Sequence, residues 1–240
     1  MKLNFEDLIL YKDEDFLVVN KPPGIATLDE RTADRSKSLL RYAREYEPTL
    51  QAAHRLDKET SGALAFARSP EAYRHLAMQF ENREVTKRYH AVSVGVHHLD
   101  SISVFLPIHP LKNGTAVKID RVKGKPAETI FNSLKVYRGF TLVECIPITG
   151  RMHQIRIHLS CLRAPIVNDE QYGGRPVFLS ELKRNFNLKK FTEEQPIMQR
   201  VALHAFSLKF ANMKDEMVTI EAPYPKDFSV LVNLLDKYGV

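Results

Sequence analysis

The sequence contains little cysteine and no long apolar run. Among its 240 residues only Cys145 and Cys161 are cysteines, too few for a disulfide framework or a four-cysteine zinc site. No apolar stretch approaches the roughly 18 residues that a membrane-spanning helix needs. Residues 1–7, MKLNFED, also lack the apolar core of a secretory signal. We therefore expect a cytoplasmic protein with reduced thiols and no membrane partner.

Signatures of nucleotide cofactors are also absent, and the candidate metal ligands are poorly placed. The sequence has neither a Walker A loop nor a G-x-G-x-x-G motif. His153, His158 and Cys161 are close in sequence and invite a zinc interpretation. On a helix, however, residues five apart diverge by about 140°, so the two histidines cannot easily share a metal. We expect no cofactor and no metal, and structural roles for these histidines.

The charge balance is basic. Thirty-five Lys and Arg residues against 29 Asp and Glu residues give a net charge of +6. Such an excess favours a polyanionic partner, because Lys and Arg bind phosphates and release counterions. Basic residues are concentrated in segments 112–125 and 178–196, which interrupt the regular pattern. Charge runs of this kind are either solvated faces or phosphate contacts, and composition leaves both open.

Strands and helices are mixed without a regular alternation. The predicted strands are 16–20, 62–67, 85–96 and 140–146. Two helices are predicted to begin at Leu39 and Pro70, and a third has Thr149 as its N-cap. Ser69 before Pro70 is a strong helix start, and residues 21–24, KPPG, suit a type II turn. We predict an α+β fold with a largely antiparallel central sheet, as one domain over residues 1–240 that two lobes could make up.

Residues 54–62, HRLDKETSG, form the densest polar cluster and directly precede a buried strand. Loops held by rigid elements often carry catalytic groups. Arg55 and Lys58 lie close to Asp57 and favour its ionised form, which suits a nucleophile or a base. The alternative is that Asp57 only caps a Thr-Ser-Gly turn. Local chemistry does not decide between these two interpretations.

Arg156 flanks the apolar stripe of the helix predicted from Thr149. No acid lies at i±3 or i±4 from it. A partly buried guanidinium therefore needs an anion from elsewhere in the fold or from a ligand phosphate. The alternative is that its stem packs on the helix while its head reaches water.

Several motifs, in order, resemble those of the RluA-like family of RNA pseudouridine synthases. The matching segments are 21–24 (KPxG), 54–62 (HRLDxxTSG), 87–91 (KxYxA), 149–159 (TGRxHQIRxHL), 165–173 and 203–205. The resemblance thus extends from about residue 16 to 210. Asn168 departs from it, since the family pattern PIVGD has glycine there. A second departure is the lack of room for the N-terminal S4-like RNA-binding module that many relatives carry.

The resemblance implies a reaction and roles for three residues. These enzymes detach uracil from its ribose, rotate it and rejoin it through carbon, without cofactor or metal. Asp57 would be the catalytic carboxylate, attacking the sugar or the base or taking a sugar proton. Tyr89 would stack on uracil and help remove the proton from the new carbon linkage, a core tyrosine being the alternative. Arg156 would hold Asp57 charged through a bidentate ion pair.

The implied fold has helices around a mixed central sheet and a central active-site cleft, and the implied substrate is a structured RNA. Transfer RNA and ribosomal RNA both offer bases that can leave their stack, and Arg55 could fill the vacated space. We expect RNA contacts from His54, Arg55, Lys87, Lys123, Lys125, Arg151, Lys189 and Lys190. We also expect a monomer.

Two other functions fit the sequence less well. A carbohydrate hydrolase needs two carboxylates roughly 5 to 10 Å apart. Glu59 is the nearby second acid, but the basic excess argues against a sugar substrate. A non-catalytic RNA-binding protein is the more serious alternative, and it would not require Asp57 at all.

Overall fold

A computed structural model describes residues 3–29, 37–112, 114–188 and 192–239. They divide into two compact units. Unit 1 comprises Met1–Arg88 and Ala205–Pro223, and unit 2 comprises Tyr89–His204 and Tyr224–Val240. The chain therefore passes between the units three times. The prediction of a single catalytic domain over residues 1–240 stays a prediction.

The elements follow in chain order. They are β1 (Ile9–Lys12), β2 (Phe16–Lys21), α1 (Leu39–Tyr46), β3 (Gln51–Ala52), β4 (Ser61–Ala67), α2 (Pro70–Glu81), β5 (Thr86–Val94), β6 (Ile102–Phe105), β7 (Ile108–Pro110), β8 (Val117–Ile119), β9 (Glu128–Tyr137), β10 (Phe140–Pro147), α3 (Gln154–Cys161), α4 (Leu179–Leu182), β11 (Leu203–Ala211), β12 (Met217–Glu221) and α5 (Lys226–Tyr238). Short 3-10 turns cover Glu6–Leu8 and Glu170–Tyr172. No helix in the described ranges is long and apolar enough to cross a bilayer.

Unit 1 is built on β4, whose seven residues are all buried. β4 pairs antiparallel with β2 and β3, β2 pairs with β1, and β11 pairs with β12. Helix α2 packs on this sheet and begins as predicted, with Ser69 Oγ accepting a hydrogen bond from the Ala72 amide at 3.1 Å. Its buried positions are Ala72, Leu76 and Gln79, whereas Tyr73 is exposed.

In unit 2 the unit's part of β5 pairs antiparallel with β10, β10 with β9, and β9 with β6. Helices α3 and α5 contribute Leu159 and Phe228 to a core that also holds Phe131 and Val143. Strands β7 and β8 form a separate two-stranded hairpin. The basic segment 112–125 is therefore partly a strand, and the segment 178–196 contains α4. These elements and pairings confirm the predicted α+β class.

Helix α3 begins later than the sequence indicates. We predicted Thr149 as its N-cap, but the helix starts at Gln154 and its N-cap, His153, has a left-handed φ of 51°. The Thr149 hydroxyl instead donates to Gln154 Oε1 at 2.7 Å and accepts from the Glu128 amide at 3.0 Å. Gln154 Oε1 also accepts from the Arg151 amide at 3.0 Å. This side-chain network takes up the polar groups of the turn, so the predicted cap is wrong.

Candidate active site

The HRLDKETSG loop, residues 54–62, connects β3 to β4 in unit 1. Asp57 is partly buried and Arg55 is exposed. The Asp57 carbonyl accepts a hydrogen bond from the Thr60 amide at 3.0 Å, which closes a turn. Among the described residues of unit 1, no cation lies within ion-pair distance of the Asp57 carboxylate. The loop thus presents a carboxylate from a closed turn at the start of a buried strand.

Thr27 fixes the backbone immediately before Asp57. Its hydroxyl donates to the Leu56 carbonyl and accepts from the Leu56 amide, both at 3.0 Å. Both groups lie in the protein interior, where an unpaired peptide group would be costly. Thr27 is not predictable from the sequence, because nothing in the local pattern links a threonine to a loop 29 positions away.

Lys21 fixes the backbone immediately after Asp57. Its fully buried ammonium donates to the carbonyls of Pro22, Ile25 and Lys58 at 3.0, 2.7 and 3.0 Å. The Lys58 carbonyl also accepts from the Gly24 amide at 2.9 Å, and Gly24 has a φ of 79°. The KPPG turn is therefore the support of the motif loop. Asp57 stands between two residues whose backbones are both held.

His54 ties the same loop to β4. Its Nε2 accepts from the Ala65 amide at 3.0 Å, and its ring lies 4.6 Å from that of Phe80, centroid to centroid. Desolvation lowers the pKa of His54 to about 3, and the charge of Lys87 acts in the same direction. At neutral pH the ring is uncharged and structural. Its expected contact with RNA stays a prediction.

Lys87 lies on β5 in a partly buried position. Desolvation lowers the pKa of its ammonium to about 8. A lysine with this pKa keeps most of its charge at neutral pH and loses it more readily than an exposed lysine. The positive charge is therefore retained in a poorly hydrated environment, where it attracts anions strongly.

Gly62 ends the HRLDKETSG motif, and its backbone conformation and surroundings require glycine. Its φ is 118°, and a Cβ at this position would lie 2.2 Å from the Ala205 carbonyl oxygen. Backbone contacts this close cannot be relieved by a side-chain rotation. Only glycine permits β4 to start here against the beginning of β11.

Arg156, on α3 in unit 2, has its anion in Asp169. Arg156 Nε lies 2.7 Å from Asp169 Oδ2, and Nη2 lies 2.7 Å from Oδ1. Nη2 also donates to Gln171 Oε1 at 3.1 Å. The guanidinium carbon sits 4.9 Å from the centre of the Tyr172 ring. An acid, an amide and an aromatic face therefore hold this cation.

Asp169 occupies the Nε–Nη2 edge of this fork, and the expected ion pair between Arg156 and Asp57 stays a prediction. The prediction that an anion must come from elsewhere in the fold is confirmed, since Asp169 is 13 residues away. Asp169 lies outside the helical neighbour positions i±3 and i±4, so the helix pattern does not indicate it as the partner. A catalytic role for Arg156 is a separate matter and stays a prediction.

Asn168, the departure from the family pattern, occupies a position that suits glycine. Its φ is 62°, in the left-handed region that asparagine tolerates better than most residues. Its side-chain amide donates to the carbonyls of Met198 and Arg200 at 2.6 and 3.1 Å. The asparagine therefore keeps the turn that delivers Asp169 and adds two contacts to it.

Tyr89 lies on β5, opposite Cys145 of β10. It is partly buried and packs against the core of unit 2. The neighbouring His90 is buried and forms a hydrogen bond with the Tyr224 hydroxyl at 2.5 Å. Successive side chains of a strand point to opposite faces of the sheet, so Tyr89 and His90 lie on different faces. The chemical role of Tyr89 stays a prediction.

The predicted RNA-binding lysines 123 and 125 are exposed and follow β8 in the turn after Ile119. Asp120 accepts from the backbone amides of Lys123 and Val122 and pairs with Lys118, and these contacts hold the pKa of Asp120 below its usual value. Arg151 is also exposed, and its Nε donates to the Pro126 carbonyl at 3.1 Å. Lys189 and Lys190 lie outside the described residues.

The histidines considered for zinc have polar partners of their own. His153 Nδ1 contacts the Tyr172 hydroxyl at 2.9 Å, whereas His158 contacts the Thr129 hydroxyl at 3.0 Å and the Leu106 carbonyl at 3.1 Å. Within the described residues, no three His, Cys, Asp or Glu side chains are grouped so that they could hold a metal ion.

Solved structures define the class of fold. Human RNA Pseudouridylate Synthase Domain Containing 4 superposes with a TM-score of 0.72 at 23% identity, covering 97% of this chain and 95% of that one. Human RNA Pseudouridylate Synthase Domain Containing 1 gives 0.68 at 28% identity, covering 94% and 86%. The fold is that of a pseudouridylate synthase catalytic domain.

Sequence comparison gives the family. A family model described as RNA pseudouridylate synthase matches residues 15–161. Ribosomal large subunit pseudouridine synthase C of Buchnera aphidicola is 37% identical over 241 residues, covering 98% of this chain and 73% of that protein. The protein of the same name from Escherichia coli K12 is 36% identical, covering 90% and 66%. The chain belongs to the RNA pseudouridylate synthase family, and it spans 66 to 73% of the length of these two relatives.

Membership of this family confirms the resemblance found in the sequence. It also supports an isomerase that acts on RNA over both alternatives, the non-catalytic RNA-binding protein and the carbohydrate hydrolase.

Proposed function

We propose that this chain converts uridine to pseudouridine in ribosomal RNA of the large subunit, with Asp57 as its catalytic carboxylate. The observation that carries the proposal is the HRLDKETSG loop, in which Asp57 stands between Leu56 and Lys58, whose backbones are fixed by Thr27 and Lys21. The RNA class follows from relatives named as ribosomal large subunit pseudouridine synthases. Transfer RNA is the alternative substrate.

The proposed reaction needs no external electron carrier. The bond from ribose C1′ to uracil N1 breaks, a bond from C1′ to C5 forms, and one proton leaves C5 while one is gained at N1. A carboxylate whose backbone is fixed is already in place when the substrate binds and does not have to reorganise. Such preorganisation is the source of electrostatic and proximity effects in catalysis.

Tyr89 and Arg156 are proposed as further catalytic residues. The family resemblance gives Tyr89 the stacking role and a part in removing the C5 proton. Arg156 is proposed to supply a positive charge of fixed direction, because Asp169 and the Tyr172 ring restrain its guanidinium. The family resemblance gives Arg156 the further role of holding Asp57 through an ion pair, and that role stays a prediction.

RNA is proposed to bind through basic side chains outside the reacting centre. Exposed Arg55, Lys123, Lys125 and Arg151 supply phosphate contacts, and Lys87 supplies a partly desolvated charge. Arg55 is also the proposed side chain that fills the space of the flipped base.

We further propose that the protein acts as a monomer in the cytoplasm. Light scattering of the purified protein would test the oligomeric state, and microscopy of a tagged chain would test the location.

The decisive experiment is Asp57→Asn, assayed on transcripts of large-subunit ribosomal RNA that carry tritium at uridine C5. The variant should release no tritium above background while binding RNA within about twofold of wild type, since replacing one carboxylate oxygen of Asp57 with an amide nitrogen leaves the basic side chains that contact phosphate in place. Asp215→Asn, at an exposed turn of unit 1, is the matched control and should keep wild-type turnover. Substantial turnover by Asp57→Asn would remove Asp57 from the mechanism. A wild-type protein that binds RNA but releases no tritium would favour the non-catalytic alternative.

A further inference from the structure

Gln171 and Tyr172 each contact Arg156 with one group and the β7–β8 hairpin with another. Gln171 Oε1 accepts from Arg156 Nη2 at 3.1 Å, and its Nε2 donates to the Thr115 carbonyl at 3.1 Å. The Tyr172 ring lies 4.9 Å from the Arg156 guanidinium carbon, and its hydroxyl accepts from the Val117 amide at 2.9 Å. Two consecutive residues therefore bridge the same cation to the same hairpin.

The hairpin also packs on α3, which carries Arg156. Ile108 of β7 and Val117 of β8 are buried against Ile157, with Tyr172 packed at the edge of this cluster. Ile157 is the direct neighbour of Arg156 on the helix. The hydroxyl of Tyr172 adds a second contact to the helix start through His153 Nδ1 at 2.9 Å. Apolar packing and four hydrogen bonds thus join hairpin, turn and helix into one body.

The outer side of this hairpin carries the exposed basic residues. Lys118 lies on β8, and Lys123 and Lys125 follow it. The turn between them is closed by Asp120, whose Oδ1 accepts from the amides of Val122 and Lys123 at 3.0 and 2.9 Å. Lys125 returns to β7 through two backbone hydrogen bonds with Ile108, each of 2.9 Å. Phosphate groups bound by these lysines would therefore contact a rigid part of the protein.

We propose that Tyr172, assisted by Gln171, is a positioning residue that sets Arg156 relative to RNA bound on the β7–β8 hairpin. The inference rests on the proposed function, because it takes Arg156 as catalytic and the hairpin as an RNA contact. The Tyr172 ring restrains the guanidinium, and its hydroxyl fixes the hairpin strand that precedes the phosphate-binding lysines. RNA that is held by the hairpin is thereby held at one distance from Arg156.

The test uses Tyr172→Phe, which keeps the ring beside Arg156 and removes the contacts to Val117 and His153. The expected result is a kcat at least fivefold lower, with KM and equilibrium RNA affinity within about twofold of wild type, a factor of five corresponding to about 1 kcal/mol. Tyr137→Phe is the matched control, because this buried tyrosine loses a comparable hydroxyl contact, to Asp236 at 2.7 Å on α5. Both variants should lose similar stability in urea, but only Tyr172→Phe should lose kcat.

A double-mutant cycle with Lys123→Gln separates positioning from structure. In the wild-type background Lys123→Gln should lower both RNA affinity and kcat. In the Tyr172→Phe background it should lower affinity alone, because the link from hairpin to Arg156 is already cut. Effects on kcat that simply multiply, or a Tyr172→Phe kcat within twofold of that of Tyr137→Phe, would overturn the inference.

Gln171→Leu removes the other side-chain contact between Arg156 and the hairpin and should also reduce kcat.

Failure of this inference is distinguishable from failure of the proposed function. If Asp57→Asn is inactive but Tyr172→Phe behaves like Tyr137→Phe, the positioning inference alone is wrong. If Asp57→Asn keeps its turnover, the proposed function itself is wrong.

Discussion

Arg156 and Asp169 meet edge to edge, with Nε 2.7 Å from Oδ2 and Nη2 2.7 Å from Oδ1. The side chains are 12% and 1% exposed, so the pair is largely removed from water. A planar guanidinium matched to a carboxylate in this way gives two charge-assisted hydrogen bonds of fixed direction. Removal of one partner of such a pair lowers the stability of the fold strongly, because the other charge is left buried and unpaired.

Asp169→Asn should therefore lower the free energy of unfolding by about 3–5 kcal/mol. Urea denaturation followed by circular dichroism would measure it. Activity should fall as well, since the guanidinium of Arg156 loses the partner that fixes its direction.

Glu181→Gln is the control for this prediction. It breaks the Arg175–Glu181 pair, whose side chains are 49% and 31% exposed. Screening by solvent should limit its cost to under about 1 kcal/mol. If Asp169→Asn costs no more than Glu181→Gln, the buried pair contributes nothing special to the fold.

Tyr89→Phe should bind RNA normally and lose much of its turnover. The ring, which packs against the core of unit 2, is retained, whereas the hydroxyl proposed to assist loss of the C5 proton is removed. General acid–base assistance of this kind typically contributes about 10²- to 10⁴-fold. Single-turnover tritium release gives the rate. Tyr89→Leu should reduce both binding and turnover, and a phenylalanine variant as fast as wild type would show that only the ring matters.

Local signals in the sequence were enough to predict several elements that support the site. The Ser69–Pro70 start of α2 and the KPPG turn depend on backbone preferences that hold in any context, and both are found in the structure. β4 was recognised because small apolar residues without interruption suit a strand buried on both faces. These are the elements that bring residues 54–62 to their place.

Contacts between distant residues could not be predicted in the same way. Asp169 reaches Arg156 only because the turn at Asn168 folds back towards α3, and no periodicity encodes that turn. The start of α3 moved because the side chain of Gln154 competes for the polar groups that Thr149 would have capped. Thr27 is buried because its hydroxyl pairs with the Leu56 backbone, and the two residues meet only in the folded chain.

Lys123 and Lys125 should each contribute about one phosphate contact. Each lost contact should flatten the slope of log affinity against log salt by roughly 0.7 to 0.9, because fewer counterions are released on binding. Lys123→Gln with Lys125→Gln should therefore flatten the slope by roughly 1.4 to 1.8. Filter binding across a salt series would measure it. Exposed Lys209 and Lys214 of unit 1, neutralised together, are the control, and an equal change in both double variants would mean that only net charge matters.

His54 should make the protein less stable as the pH falls from 7 to 5. Desolvation lowers the pKa of His54 to about 3 in the folded chain, against an ordinary value near 6.5, and the charge of Lys87 contributes in the same direction. In this pH window the unfolded chain binds a proton at His54 that the folded chain does not, so stability is present above pH 6.5 and is lost below it. The linkage predicts that the free energy of unfolding falls by about 2 kcal/mol between pH 7 and pH 5 because of this residue.

Urea midpoints of wild type and His54→Gln at both pH values isolate the contribution of His54, because a constant cost of the substitution cancels in the difference. The exposed His98→Gln, treated in the same way, is the control and should keep the pH dependence of wild type. Equal losses in wild type and His54→Gln would mean that the folded and unfolded chains bind a proton at His54 equally well, and that the hydrogen bond from Ala65 does not keep the ring neutral.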